Sequence, residues 1–274
     1  MCEIVKLAGT ANGIYRLRDN AWQQVKPTSN SFVIVETNPS RCTQAVAGIW
    51  EDYVYETTDS GATWQQRRAG LPAEAAYTYG VTFASDGSRV FLGTDLLGIY
   101  EIANDSGTLS GNWQRSLSLD VPVLRITANQ DGVAAFVWDD GLYQRNQAGA
   151  WSRWTGPQPA ADKTRGRALL LKPDGAPWII GGSDFLLRNT NTAWVVTGLQ
   201  VRTNDVIAFA DRLYAAQTGG VVRSVDQGVT WAPINTGFGN SPPMVRDVDV
   251  LHENGQDWLY AATTRGVWRY RLDP

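Results

Sequence analysis

The chain has 274 residues, 43% of them hydrophobic and 19% charged, with 27 glycines, 12 tryptophans and a formal net charge of −3. That acidic balance excludes a polyanion-binding surface as the main activity, because nucleic-acid binding needs a basic face to displace counterions. Cys2 and Cys42 are too few for a disulfide framework and pair only if the fold brings them together.

The first ten residues, Met1 to Thr10, lack the basic start and long apolar stretch of a secretory leader, and no later run reaches the length of a membrane span. A cytoplasmic chain without membrane insertion is the expectation. Self-similarity then organises everything that follows. Gly13-Ile14-Tyr15 leads through a polar turn to Trp22, Tyr53-Val54-Tyr55 to Trp64, and Gly98-Ile99-Tyr100 to Trp113. Gly141-Leu142-Tyr143 leads to Trp151, Phe185-Leu186-Leu187 to Trp194, and Gly220-Val221-Val222 to Trp231. A seventh copy runs from Trp258 through Gly266-Val267-Trp268 and stops before its indole.

The anchors recur roughly every 40 residues, the length of a four-stranded propeller blade. The segments are short, β-branched and aromatic, with Gly, Asn, Asp and Pro between them and no sustained helical period, so they read as strands. Calling the strands of a blade A to D from the inside out, Arg89 to Thr94 is a strand B, Gly98 to Ile102 a strand C and Trp113 to Leu117 a strand D. Residues 32–35, 81–84, 124–128, 168–171, 206–209 and 245–251 are the expected A strands. The first copy lacks an A and the seventh lacks a D, giving about 26 strands by blade arithmetic. Trp22, Trp64, Trp113, Trp151, Trp194 and Trp231, together with Trp178, Trp258 and Trp268 inside strands, are expected in the core, which leaves Trp50, Trp138 and Trp154 for surface contacts.

The C-to-D turn carries the most specific motif. Ser224-Val225-Asp226-Gln227-Gly228-Val229-Thr230-Trp231 has the form S-x-D-x-G-x-T-W, and Thr57 to Trp64 departs from it only in its first residue. Asp19 to Trp22, Asp105 to Trp113, Gln147 to Trp151 and Asn189 to Trp194 are degenerate copies. The repeat resembles the Asp-box, or BNR repeat, of sialidase-like and sortilin-like β-propellers. What the resemblance implies is a single seven-bladed all-β propeller over residues 1–274, with the boxes on the rim opposite the functional face. A carboxylate that accepts amides of its own turn, a Gly at positive φ and an indole plate are structural chemistry, so Asp59, Gly61, Trp64, Asp226, Gly228 and Trp231 are fold residues.

On the functional face the B-to-C loops supply Trp50, Glu51, Asp52, Asp95, Trp138, Asp139, Asp140, Asp184 and Arg265. The starts of the A strands add Tyr79, Arg125, Arg167, Asn204, Asp205, Arg246 and Asp247. No P-loop, dinucleotide fingerprint or nucleophile elbow occurs, and His252, the single histidine, falls in an Asn-Gly turn without partners for a triad or a metal, so no cofactor or metal is expected. The Arg-Ile-Pro element of sialidases is missing, the nearest stretch being Leu124-Arg125-Ile126-Thr127. A non-catalytic scaffold for a protein partner is the leading expectation, and a lectin-like sugar binder or a glycoside hydrolase with a carboxylate pair is the alternative.

Overall fold

A computed structural model describes residues 6–19, 21–29 and 33–272. Among them the chain forms 26 strands in seven antiparallel sheets, two short 3₁₀ turns at Ala73–Ala76 and Ala161–Lys163, and no α-helix. The fold is an all-β seven-bladed β-propeller. The chain divides into two compact units, residues 1–153 with 173–175, and residues 154–172 with 176–274.

The first unit holds four blades. Blade 1 is β1 (Leu7–Thr10), β2 (Gly13–Arg18) and β3 (Ala21–Pro27). Blade 2 is β4 (Val33–Thr37), β5 (Ala45–Ile49), β6 (Val54–Thr57) and β7 (Gln65–Gln66). Blade 3 is β8 (Thr78–Phe83), β9 (Arg89–Thr94), β10 (Ile99–Asp105) and β11 (Thr108–Leu117). Blade 4 is β12 (Val123–Asn129), β13 (Gly132–Val137), β14 (Gly141–Arg145) and β15 (Trp151–Arg153).

The second unit holds three. Blade 5 is β16 (Gly166–Leu171), β17 (Pro177–Gly182), β18 (Leu186–Asn189) and β19 (Trp194–Val196). Blade 6 is β20 (Thr203–Phe209), β21 (Arg212–Gln217), β22 (Gly220–Ser224) and β23 (Ala232–Pro233). Blade 7 is β24 (Val245–Glu253), β25 (Gln256–Thr263) and β26 (Gly266–Arg271). The first and last sheets carry three strands each, as the repeat pattern predicts.

B strands are covered on both faces, which is why they read as unbroken apolar runs: all five residues of β5, Ala-Val-Ala-Gly-Ile, are buried. Val46, Val54, Val81, Val90, Leu92, Tyr100 and Trp113 form one core between blades 2 and 3, and Val206, Leu213, Ala215 and Ile179 another between blades 5 and 6. Each fully buried valine or leucine contributes about 1.5–3 kcal/mol. A polar lock lies beside the first core. Glu56 accepts from Gln44 Nε2 at 2.8 Å, the Leu109 amide at 2.9 Å and Arg67 Nε at 2.7 Å, and Gln44 also bonds Asn104 and Asn38.

The two full S/T-x-D-x-G-x-T-W turns are built alike. Thr57 and Ser224 each donate a hydroxyl to the aspartate Oδ1 at 2.8 Å and accept the amide of Gly61 or Gly228 at 2.9 or 2.8 Å. Both glycines have positive φ, +80° and +84°, and a Cβ there would press on Leu7 or Ile179 of the preceding blade. The degenerate copy after β10 is a plain hairpin instead, with Ser106 and Gly107 at φ 54° and 83°, the two-residue turn that suits strand twist.

Four expectations need correction. The repeat indoles lie in or just before the outermost strand, so only Trp113 is fully buried while Trp22, Trp64, Trp151, Trp194 and Trp231 are half-buried, as are Trp178 and Trp258 within strands. Trp268, expected in the core, is 38% exposed on β26, the outer strand of blade 7. His252 lies in β24, bonded to Asp257 at 2.7 Å, and the turn is Asn254-Gly255 alone. Strand β8 begins three residues earlier than predicted, and β16 and β20 begin two and three earlier. Phe32 of the expected first A strand and Cys2 lie outside the described residues; Cys42 is disulfide-bonded.

Candidate interaction site

Hydrogen bonds fix the two ends of each unit. In blade 2 the Ser60 amide donates to Thr43 O at 2.8 Å, placing the C-to-D turn beside the A-to-B turn. At the opposite end four of the B-to-C loops return to the residue before strand A: the amides of Asp95, Trp138, Thr218 and Thr264 donate to the carbonyls of Tyr77, Pro122, Arg202 and Met244 at 2.8–3.1 Å. The Asp-box turns and the candidate loops therefore occupy opposite ends, as the repeat pattern predicts.

The early starts of the A strands have one cause. Pairing shifts by one residue between Thr78 and Gly80, Val123 and Arg125, Gly166 and Ala168, Thr203 and Asp205, and Val245 and Asp247. Each shift is a bulge whose extra residue is Tyr79, Leu124, Arg167, Asn204 or Arg246. A bulge leaves one residue out of the ladder and re-aims its side chain. Four of the sequence candidates, Tyr79, Arg167, Asn204 and Arg246, occupy these positions.

In the first unit the bulge brings three rings together. Trp50, from the loop after β5, meets Tyr77 edge-to-face at 5.1 Å and 70°, and Tyr79 at 4.7 Å and 57°. Tyr77 is 39% exposed and Leu96, beside Asp95, is 56% exposed. Burial pushes the Asp95 carboxyl up, against the hydrogen bond from Tyr79 that pulls it down. Glu51, next to Trp50, is exposed at φ 64°. The sequence reading found Trp50, Tyr79 and Asp95 but missed Tyr77 and Leu96; the signal was Tyr77-Thr78-Tyr79 flanking a buried threonine.

Other candidates lie elsewhere. Asp52 accepts the Tyr55 hydroxyl at 3.0 Å and lies 3.9 Å from Lys26, while Asp140 accepts the Tyr143 hydroxyl at 2.6 Å and lies 3.8 Å from Arg153. Burial first and the neighbouring carboxylate second push both phenols up to about 12. Trp138 is half-buried and Asp139 exposed at φ 53° in the turn of blade 4, and Arg125 is half-buried at the start of β12. Trp154, half-buried in the connection that follows β15, sits edge-on to Trp194 at 6.3 Å.

In the second unit Arg167 is half-buried, Arg246 and Asp247 are exposed, and Asp184 pairs with Lys163 at 3.3 Å. Asp205 is not a surface group: it is 2% exposed, and its Oδ2 accepts the Val248 amide at 3.3 Å. Asp249 on β24 is pushed up to about 6 by burial, against the Val250 amide, with the Asp205 charge adding to the rise. Among the described residues no three His, Cys, Asp or Glu side chains gather as a metal site, and no helix is long and apolar enough to cross a membrane.

No protein-family model and no curated protein sequence matches the chain. Solved structures do. YCF48 bound to D1 peptide is 17% identical with a TM-score of 0.69, over 99% of this chain and 89% of that one. The GH74 xyloglucanase from Xanthomonas campestris is 19% identical with a TM-score of 0.61, over 99% of this chain and 43% of the enzyme, so the chain spans less than half of such larger proteins. The computationally designed Ika8 protein is 12% identical with a TM-score of 0.62, over 100% of this chain and 84% of that one. These likenesses establish the architecture and nothing finer: the chain is built as a seven-bladed β-propeller.

Proposed function

We propose that the chain is a non-catalytic interaction propeller that docks a protein partner on the end bearing the B-to-C loops, with Trp50, Tyr77 and Tyr79 as anchor. The carrying observation is the exposed edge of that three-ring cluster, flanked by Leu96. Tryptophan and tyrosine dominate interface hot spots because they offer large area at small entropic cost. Two tyrosines packed on Trp50 leave it poorly suited as a flat platform for a sugar ring. The carboxylates favour the same reading, since Asp52, Asp140 and Asp205 are engaged in structural bonds, whereas glycoside hydrolysis needs two carboxyls facing one bond. YCF48, a propeller of similar architecture and size, has a peptide bound.

The test is a peptide array and a glycan array probed in parallel with the wild-type chain and Trp50→Ala. Peptide binding lost in Trp50→Ala, with no glycan retained, is the expected result. Capture of a defined glycan that survives competition by peptides overturns the proposal.

A further inference from the structure

We propose that β26 of blade 7 receives a fourth strand from a partner protein: an extended segment, antiparallel to β26, that carries a tryptophan between two acidic residues. This edge belongs to the second unit, and the proposal does not rest on the Trp50 end.

Blades 2 to 6 each have an outer strand D, whereas β26 is the last strand of its sheet. A sheet edge offers a row of main-chain donors and acceptors to any strand that fits it. The Leu272 amide donates to Asp257 O at 2.9 Å, so by the alternation of an antiparallel ladder Val267, Arg269 and Arg271 turn their amides and carbonyls outward. In three complete blades the residue one beyond the close of the B-to-C turn accepts an amide of the D segment. Arg67 donates to Val54 at 2.8 Å, Thr197 to Leu186 at 3.1 Å and Ile234 to Val221 at 2.9 Å. Val267 holds that place in blade 7, and among the described residues no amide reaches its carbonyl.

The other blades also set the register. The indole that opens strand D pairs with Leu17 in blade 1, Arg145 in blade 4 and Asn189 in blade 5, each four residues past the one that closes the B-to-C turn. The same place in blade 7 is Tyr270. An indole opposite Tyr270 shares the face of Trp268 and Tyr270, which borders a shallow crease lined by Ile234, Thr236 and Phe238 of the connection from blade 6. Trp268 meets Phe238 edge-on at 5.3 Å and is 38% exposed, so the incoming ring has apolar surface to cover.

The residues on either side of that indole oppose Arg271 and Arg269 on the other face. Arg269 lies 4.5 Å over the Trp258 ring and 3.8 Å from Glu253, with about half of its side chain in solvent. Arg271 bonds the neutral Gln256 side chain at 2.8 Å, and among the described residues no carboxylate pairs with it. Both border an open groove of about 410 Å³. Acidic residues opposite them form favourable cross-strand pairs. The same charges disfavour a second copy, because a twofold centred on Arg269 or Tyr270 sets arginine against arginine.

The probe is a fluorescein-labelled peptide with the core Glu-Trp-Glu-Val-Thr, whose threonine amide falls opposite Val267, followed by anisotropy on the 274-residue chain. Saturable binding is expected, with hydrogen exchange slowed at residues 266–271. Alanine in place of the peptide tryptophan is expected to weaken binding about tenfold. N-methylation of the threonine amide is expected to weaken it about fivefold or more. The double variant Arg269→Glu, Arg271→Glu is expected to lose the acidic peptide and to bind Lys-Trp-Lys-Val-Thr instead, a gain that an unfolded chain cannot show. Trp50→Ala is expected to bind the acidic peptide like wild type, which separates this edge from the docking end.

No binding of the acidic peptide, equal affinity for the lysine peptide on the wild-type chain, indifference to N-methylation, or protection outside 266–271 overturns the proposal. A chain that sediments as a dimer with 266–271 protected before peptide is added also overturns it, and assigns the edge to a second copy.

Discussion

The Thr230 hydroxyl donates to Asp226 Oδ2 at 2.6 Å while the Thr230 amide donates to Oδ1 at 2.8 Å, so one residue holds both oxygens of the aspartate. With Ser224 and the Val229 amide added, these bonds lower the Asp226 pKa from 3.8 to about 2, the Thr230 hydroxyl first among them. Native Asp226 thus releases its proton more readily than unfolded Asp226. Its contribution to stability is complete above pH 3.8 and disappears as the pH falls toward 2. The melting-temperature gap between wild type and Asp226→Asn is expected to be widest at neutral pH and to close across that window. A gap that stays constant to pH 2 contradicts the assignment.

Asp59 repeats the arrangement with Thr63, its hydroxyl at 2.6 Å and amide at 2.9 Å. Burial pushes Asp59 up and the Thr63 and Thr57 bonds push it further down, for a net lowering. Neither turn belongs to the docking end, so Asp59→Asn and Asp226→Asn are expected to bind array peptides like wild type.

Glu56 and Arg67 make the costliest single bond to break. The glutamate is 1% exposed and the arginine 30%. Glu56→Ala removes the buried carboxylate and strands three donors, Gln44 Nε2, the Leu109 amide and Arg67 Nε, and is expected to lose about 3–5 kcal/mol, read from urea unfolding midpoints. Arg67→Ala leaves the Glu56 carboxylate buried without its countercharge, with only the Gln44 and Leu109 donors, and is expected to lose a comparable amount.

Asp249 sends stability the other way. Its native pKa near 6 exceeds the ordinary 3.8, so the folded chain binds that proton more tightly than the unfolded chain. The penalty is full above pH 6 and vanishes as the pH falls toward 3.8. Burial is what raises the carboxyl, yet Asp249 is an exposed residue. Solvent screening therefore limits the gain of Asp249→Asn at pH 7 to on the order of 1 kcal/mol. Equal stability of variant and wild type at pH 7 and pH 4 contradicts this reading.

The indole spacing made the seven blades and the three-stranded first and last sheets legible, because strand B is apolar throughout and each outer hairpin carries one large plate. The bulges were not legible. Nothing in Thr78-Tyr79-Gly80 announces that Tyr79 leaves the ladder, since a one-residue shift is decided by pairing with Gly93 and Thr94. Asp52 and Asp205 looked like loop charges, and only their contacts with Tyr55 and the Val248 amide reveal them as internal supports.

Asp52 supplies a check of that distinction. Its carboxylate is the second and third cause, after burial, of the rise of Tyr55 to about 12. Asp52→Asn is expected to bring the phenol part of the way back toward 10, seen by ultraviolet titration, and to leave peptide binding within twofold. A loss of binding as large as that of Trp50→Ala returns Asp52 to the docking surface.

The most direct measurement is hydrogen exchange on the chain with and without a selected peptide. Protection is predicted to concentrate in residues 49–53, 77–80 and 94–98, with the Asp-box segments 57–64 and 224–231 unchanged. Protection confined to the Asp-box end, or to the outer strands of the blades, contradicts the account.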